Sequence, residues 1–290
     1  MLLAMCSSPS LPRPEKPVLP PRAEPARMSA PVVMAESVQV PVLMYHHFAQ
    51  EPASDVEISP EVFARHLEAL SRAGYTAVLV RDLIDFVYGG GSLPEKPVCI
   101  TIDDGYLSNY EIAWPLLEQY GMKATIFVIG SSIGSTEFYK DTEYPITPHF
   151  NWDQAREMQA SGIIDIQCHT YDMHQWPAYE SGDKVRASIL RLDGESEADY
   201  RAAVTADLTF YDQLRIREMG EGFSALAYPG GGFDELSEEI VHELGIPVTL
   251  STRALGPNTV TRWDPSSLYA MYRWNVGSEV TGEQLLEMIQ

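Results

Sequence analysis

The segment CITIDDGY, residues 99–106, runs through an apolar, β-branched stretch into two adjacent aspartates and a glycine. Neighbouring carboxylates repel, and each loses water near a core. The pair therefore requires a cation, a hydrogen-bond donor or full exposure. The flanking sequence decides which.

On both sides the chain alternates strand-like and helix-like segments. QVPVLMYHHF reads as a first strand, and SPEVFARHLEALSRAG as a helix with Ser59 as N-cap, Pro60 in its first turn and Gly74 as its stop. Then come strand TAVLV, helix RDLIDFVYGG, strand PVCITI, helix SNYEIAWPLLEQYG, strand ATIFVI, helix NWDQAREMQASG and strand IIDIQC. A long helix within 196–219, strand SALAYP, helix DELSEEIVHELG and strand PVTLST complete the series. Repeated units of this kind predict an α/β fold with a parallel sheet, open or closed into a barrel. In either architecture, ligand sites gather beyond the C-terminal ends of the strands.

Polar residues concentrate there. PVCITI ends in Asp103 and Asp104, IIDIQC in His169 with His174 shortly after, QVPVLM in Tyr45, His46 and His47, and SALAYP in Gly230, Gly231 and Gly232. An aspartate and a pair of histidines suit Zn²⁺ or a similar divalent ion, with positions left open for water and substrate. Residues five apart on a helix differ by about 500°, roughly 140° beyond a full turn, so His169 and His174 must lie on a loop to share an ion. Taken singly, a histidine at a strand end is more often hydrogen-bonded or exposed, and Asp-Asp-Gly is a turn. Tyr45, Tyr171 and Tyr228 read by default as packing aromatics. The phosphatase-type aspartyl motif spaces its aspartates two apart, unlike this adjacent pair. Coincidence of place favours a metal site.

Composition narrows the rest. With 290 residues, 45% of them hydrophobic, the chain can bury one large core or two small ones, and an α/β barrel of this size commonly forms a single domain. A formal charge of −21 argues against nucleic acid and anionic lipid as partners. No apolar run approaches the ~18 residues of a transmembrane segment. Residues 9–31 hold eight prolines, which makes residues 1–37 an extended tether and 38–290 the folded domain. The apolar start before Cys6 has two readings: the tail of a secretory signal with Cys6 as its lipid-accepting residue, or a fortuitous run. Cys99 and Cys168 are expected to be small buried hydrophobes.

VLMYHHF, ITIDDGY, HTYDMH and AYPGG occur in that order and together resemble the polysaccharide deacetylase family, the NodB-homology carbohydrate esterases, over roughly residues 38–277. The resemblance implies a distorted (β/α) barrel and metal-dependent removal of acetyl groups from N-acetylated glycans, of the N-acetylglucosamine type or peptidoglycan. It implies that Asp104, His169 and His174 hold the ion, Zn²⁺ first, with Co²⁺, Ni²⁺ or Mn²⁺ as alternatives, and that Asp103 is the base. The YHH strand and the five-residue histidine spacing are most similar to the poly-N-acetylglucosamine deacetylase branch. There a first-strand histidine is the general acid, which points to His46, with His47 as the fallback. Tyr171, Tyr228 and Gly230 are the expected contacts to substrate or its oxyanion, the last two through a backbone N–H.

Two departures stand out. GFSALAYPGG lacks the arginine that the family carries shortly before its proline-glycine element, and Arg273 in MYRWNV is expected to orient Asp103 instead. The late Leu-x-Ile-x-x-His motif is also absent, the last histidine being His242. These departures keep two alternatives open: an esterase for O-acetylated glycans, and a catalytically impaired glycan-binding envelope protein of the same fold. A glycan substrate implies an extracellular or cell-surface location, lipid-anchored if Cys6 is modified. The polar insert around 180–220 reads as a groove element or, by default, a solvated decoration.

Overall fold

The structure, a computed structural model, describes residues 32–33, 37–180 and 185–290. Cys6 and the proline-rich stretch of residues 9–31 lie outside the described residues.

The principal sheet has eight strands: β1 Val42–Tyr45, β2 Thr76–Val78, β3 Pro97–Asp104, β4 Ala124–Val128, β5 Ile164–Cys168, β6 Ala225–Ala227, β7 Val248–Leu250 and β8 Trp274–Asn275. All of its pairings are parallel, in the order β7-β6-β5-β4-β3-β1-β8. β3 is buried along its whole length, as its unbroken apolar run requires of a strand covered on both faces. One of its edges pairs with β1, from Val42 opposite Cys99 to Tyr45 opposite Ile102. The other edge is shared: β2 flanks Pro97–Cys99 and β4 flanks Thr101–Asp104. This wedge distorts the barrel.

The sheet curls until its ends meet. Leu250 in β7 bridges Met271, just ahead of β8, and the Met271 N–H donates to the Thr249 carbonyl at 2.8 Å while Ser251 N–H donates to the Met271 carbonyl at 2.9 Å. The eighth strand, absent from the sequence-based expectation, thus forms the closing seam.

Among the described residues, seven α-helices accompany the sheet: α1 Pro60–Arg72, α2 Val80–Val87, α3 Trp114–Tyr120, α4 Trp152–Ala160, α5 Glu197–Met219, α6 Glu235–Glu243 and α7 Gly282–Met288. In α1 the Ser59 hydroxyl accepts from Val62 N–H, and Phe63, Leu67 and Leu70 face the core at helical spacing. Burying each such side chain stabilises the fold by about 1.5–3 kcal/mol.

Three elements differ from the sequence reading. The single first strand is divided at Pro41, which has no N–H to give: Ser37–Val40 pairs antiparallel with Asn258–Thr261, and only Val42–Tyr45 joins the main sheet. The helix expected from Ser108 begins as a π-turn over Asn109–Ala113, where Pro115 removes the N–H that would reach back to Glu111. The polar insert is not a decoration. Its helix α5 follows β5 and precedes β6, and it buries Tyr200, Val204, Leu208 and Tyr211. The Tyr211 hydroxyl donates to the Val128 carbonyl at 3.0 Å, and the buried Arg215 donates to the Ile166 carbonyl at 2.9 Å. The reading of Cys99 and Cys168 holds: both are free and fully buried.

Candidate active site

The opening pair is resolved at the tip of β3. Asp104 has φ 72° and Gly105 φ 89°, so the chain turns sharply as the strand ends. A Cβ on residue 105 would lie 2.6 Å from Val128 Cγ1, which leaves room for glycine alone. A left-handed aspartate costs about 1–2 kcal/mol and separates the two carboxylates into different surroundings. Thr170, directly after His169, adopts the same backbone region at φ 65°. Strain is stored on both sides of one cluster.

Asp103 faces a buried guanidinium. Arg273 Nη1 and Nη2 lie 2.7 and 2.8 Å from its two oxygens, and neither side chain is exposed to water. Arg273 is itself held by the Ser251 carbonyl at 2.9 Å and the Thr101 hydroxyl at 3.2 Å. Burial works to raise the Asp103 carboxyl. The Arg273 charge and hydrogen bonds, with the nearby His169 and His46, outweigh it and hold the group at about 2.

Asp104 faces a pair of imidazoles instead. Its Oδ1 lies 3.5 Å from His169 Nε2 and 3.8 Å from His174 Nε2, and one ligand atom from each of the three residues fits within 4.8 Å of the others. His169 Nδ1 lies 2.7 Å from the Ala227 carbonyl, to which it must donate, so its Nε2 carries the lone pair. Burial lowers His169 to about 4, against the opposing pull of Asp103. It is neutral at physiological pH. His174 sits on the loop that follows β5, its ring 5.2 Å from that of His169. Asp104 Oδ1 is buried and has no hydrogen-bond partner among the described residues. An orphaned carboxylate oxygen opposite a neutral imidazole is a donor set that fits a divalent cation.

His46, at the end of β1, lines the same cleft, with its Nδ1 buried and unpaired. Its backbone is fixed by Asn109 Nδ2, which donates to the His46 carbonyl at 2.8 Å. His47 is engaged elsewhere: its Nδ1 is 2.9 Å from Ser108 Oγ, and its ring packs 5.0 Å from Tyr106. The π-turn places both Ser108 and Asn109 against this strand end.

Two expected substrate contacts sit elsewhere. The Tyr228 N–H is spent on the Leu250 carbonyl at 2.9 Å, and its buried hydroxyl donates to Glu238 at 2.9 Å, so neither is free for an oxyanion. Tyr171 packs edge-on against Phe210 at 4.6 Å, and its N–H goes to Asp207 at 2.9 Å. Gly230 does line the cleft, in a left-handed turn of φ 60°. The cleft has a volume of 430 Å³ and also receives His149, which sequence reading missed. Its ring packs 4.9 Å from Tyr106, and burial lowers it to about 4. PITPHF carries no motif by which that histidine could be singled out.

A buried aspartate–arginine pair beside an Asp-His-His cluster, at the strand ends of a distorted barrel, invites comparison with known proteins. The sequence profile described as polysaccharide deacetylase matches residues 90–249. The chain belongs to the polysaccharide deacetylase family. Among its relatives, YxkH of Bacillus subtilis (strain 168), named as a member of the polysaccharide deacetylases, is 26% identical over 270 residues, covering 93% of this chain and 83% of that protein. The poly-beta-1,6-N-acetyl-D-glucosamine N-deacetylase of Escherichia coli (strain K12) is 27% identical over 220 residues, covering 70% of this chain and 32% of that protein. This chain thus spans about a third of the E. coli deacetylase's length. Among solved structures, IcaB from Ammonifex degensii superimposes with a TM-score of 0.67 at 26% identity, covering 86% of this chain and 96% of that one. The de-N-acetylase from Aggregatibacter actinomycetemcomitans superimposes with a TM-score of 0.73 at 22% identity, covering 87% of this chain and all of that one, a likeness of fold. The polysaccharide deacetylase fold, with its parallel sheet curled into a partial barrel, is the one expected from the sequence.

Proposed function

We propose that this polysaccharide deacetylase is a metal-dependent hydrolase that removes acetyl groups from an N-acetylglucosamine polymer. The observation that carries the proposal is the division of labour between the aspartates: Asp104 presents an unpaired buried oxygen to His169 and His174, while Asp103 is held apart by Arg273. Asp104, His169 and His174 are the residues that would hold the ion. A carboxylate held at about 2 is a weak base, and a divalent ion, Zn²⁺ foremost, supplies what it lacks by raising the acidity of water and polarising the carbonyl.

Asp103 then accepts the proton of the attacking water, and Arg273 keeps it ionised and oriented. His46 protonates the departing amine, without which the C–N bond does not break readily. Gly230 lines the cleft, where its backbone can approach the developing oxyanion, and Tyr228, whose carbonyl accepts from Gly231 N–H at 2.8 Å, supports that turn. The names of the relatives favour a β-1,6-linked N-acetylglucosamine polymer over an O-acetyl ester. A polymer of that kind is met outside the membrane, which supports a location at the cell surface or beyond it. Residues 38–290 form the catalytic domain, with Ser37 and Val32–Val33 ahead of it already paired to Thr261 and to Leu93–Pro94.

The test is acetate release from a β-1,6-linked N-acetylglucosamine pentamer by metal-stripped protein, before and after adding Zn²⁺, Co²⁺, Ni²⁺ or Mn²⁺. Release that needs the ion and disappears in Asp104→Ala supports the reading. Stoichiometric metal binding without release overturns it.

A further inference from the structure

The mouth of the cleft carries a feature that hydrolysis of an acetyl group does not require. Tyr144, Tyr179 and Trp176 stack as a ladder: Tyr144 and Tyr179 lie 4.6 Å apart at 9°, and Tyr179 and Trp176 lie 5.5 Å apart at 16°. Aromatic rings left to pack freely prefer edge-on or tilted contacts as often as parallel ones, so a parallel stack of three is a built arrangement.

Two loops build it. Residues 137–146 form a hairpin, with Tyr139 N–H donating to the Tyr144 carbonyl at 2.9 Å and Ile146 N–H to the Glu137 carbonyl at 3.1 Å. Residues 176–180 form a turn closed by Tyr179 N–H on the Trp176 carbonyl at 2.9 Å. Lys140 ties the two together: its ammonium contacts Glu180 and lies 2.9 Å from Asp172, and the Tyr139 hydroxyl donates to Glu180 at 2.6 Å. These hydrogen bonds outweigh burial and raise the Lys140 ammonium above its ordinary range, so it stays charged wherever the protein is folded. The same Asp172 lies between His169 and His174, so the ladder is pinned to the loop that carries the candidate ligands.

The ladder ends in the cleft. Trp176, two residues beyond His174, lines it, yet is 51% exposed, and among the described residues its outer face meets no other ring. Val56, 40% exposed, lines the cleft as well. A large aromatic held flat at the mouth of a cleft and left half bare is an unfilled contact.

We propose that Trp176, backed by Tyr179 and Tyr144, is a sugar-stacking subsite that takes the C–H face of a pyranose unit neighbouring the one being deacetylated. A pyranose suits it because its axial C–H bonds present a flat apolar face while its hydroxyls remain in water. This rests on the glycan reading above and adds to it the requirement for more than one sugar.

The experiment measures both binding and turnover. Calorimetric titration with the β-1,6-linked N-acetylglucosamine pentamer is compared between the wild-type chain, Trp176→Ala and Trp176→Phe, alongside acetate release from the pentamer and from N-acetylglucosamine itself. Trp176→Ala is expected to weaken pentamer affinity about tenfold, the scale of one lost aromatic contact, with Trp176→Phe recovering part of it. The same substitution raises KM for the pentamer far more than for the monosaccharide. Equal affinity of wild type and Trp176→Ala for the pentamer overturns the subsite, as does absence of pentamer binding by the wild type. Trp176-dependent binding without acetate release supports the subsite and removes the hydrolase assignment, so the two readings fail separately.

Discussion

At the scale of the residue, the site rests on an unequal treatment of two neighbours. Asp103 is fully paired and Asp104 is left open, and removing the partner of the first exposes the difference. Arg273→Met leaves a buried carboxylate without its cation and is expected to destabilise the fold by roughly 3–5 kcal/mol, read by chemical denaturation near neutral pH. The sign with pH follows. A carboxyl lowered to about 2 in the fold contributes stability above its unfolded value, and loses it as pH falls towards 2. The deficit of Arg273→Met should therefore shrink in acid. His46→Ala is expected to reduce acetate release by about 10² to 10⁴-fold, the worth of a general acid, with a smaller loss for His47→Ala, whose ring is bonded to Ser108. The candidate ligands were legible because Asp104 and His169 end apolar runs and have few structural reasons to be there. His149 was not legible, nor the engagement of Tyr228 and Tyr171. Which way a tyrosine hydroxyl or a loop histidine faces depends on segments remote in sequence, such as Glu238 for Tyr228 and Asp207 for the Tyr171 backbone.

At the scale of the element, the turn after β3 and the helix after β5 set the positions of the candidate ligands. Gly105→Ala would place a Cβ 2.6 Å from Val128 in a left-handed backbone, so the turn must shift and Asp104 with it. Metal titration of that variant should show weaker affinity, by about 10–100-fold if the change acts as a lost supporting contact does. Helix α5 braces the other ligand loop: the Asp207 carboxylate accepts from the backbone N–H groups of Tyr171 at 2.9 Å and Asp172 at 2.8 Å. Burial raises Asp207 to about 6 despite those bonds. Its contribution to stability is complete below its unfolded pKa and is lost as pH rises through about 6. Thermal unfolding of Asp207→Asn against wild type should show a deficit at pH ~4 that narrows at pH ~7. The strands and helices were mostly legible through their periodicity and caps. The π-turn and β8 were not: the first depends on how Pro115 perturbs a ladder already begun, and the second is only two residues long, too short for any alternation to register.

At the scale of the whole molecule, charge and topology act beyond the cleft. A chain of net charge −21 offers little to an anionic polymer, but each acetyl group removed from an acetamide leaves an amine that takes up a proton. Affinity for a partly de-N-acetylated polymer should fall as salt rises from about 0.05 to about 0.5 M, whereas that for the neutral acetylated oligomer should hardly change; a titration series at fixed pH decides this. The seam where β7 meets the segment before β8 has a temporal meaning as well. Asp103 and Arg273 are separated by 170 positions, so the arginine is synthesised well after β3. Domains tend to fold in the order in which they are synthesised, but Asp103 has no guanidinium to pair with until Arg273 has been made. Until then Asp103 must stay hydrated or protonated, and β3 cannot settle fully into the interior. Burial of β3 with an ionised Asp103 is therefore coupled to the arrival of Arg273, and the paired site forms after the strand that carries it.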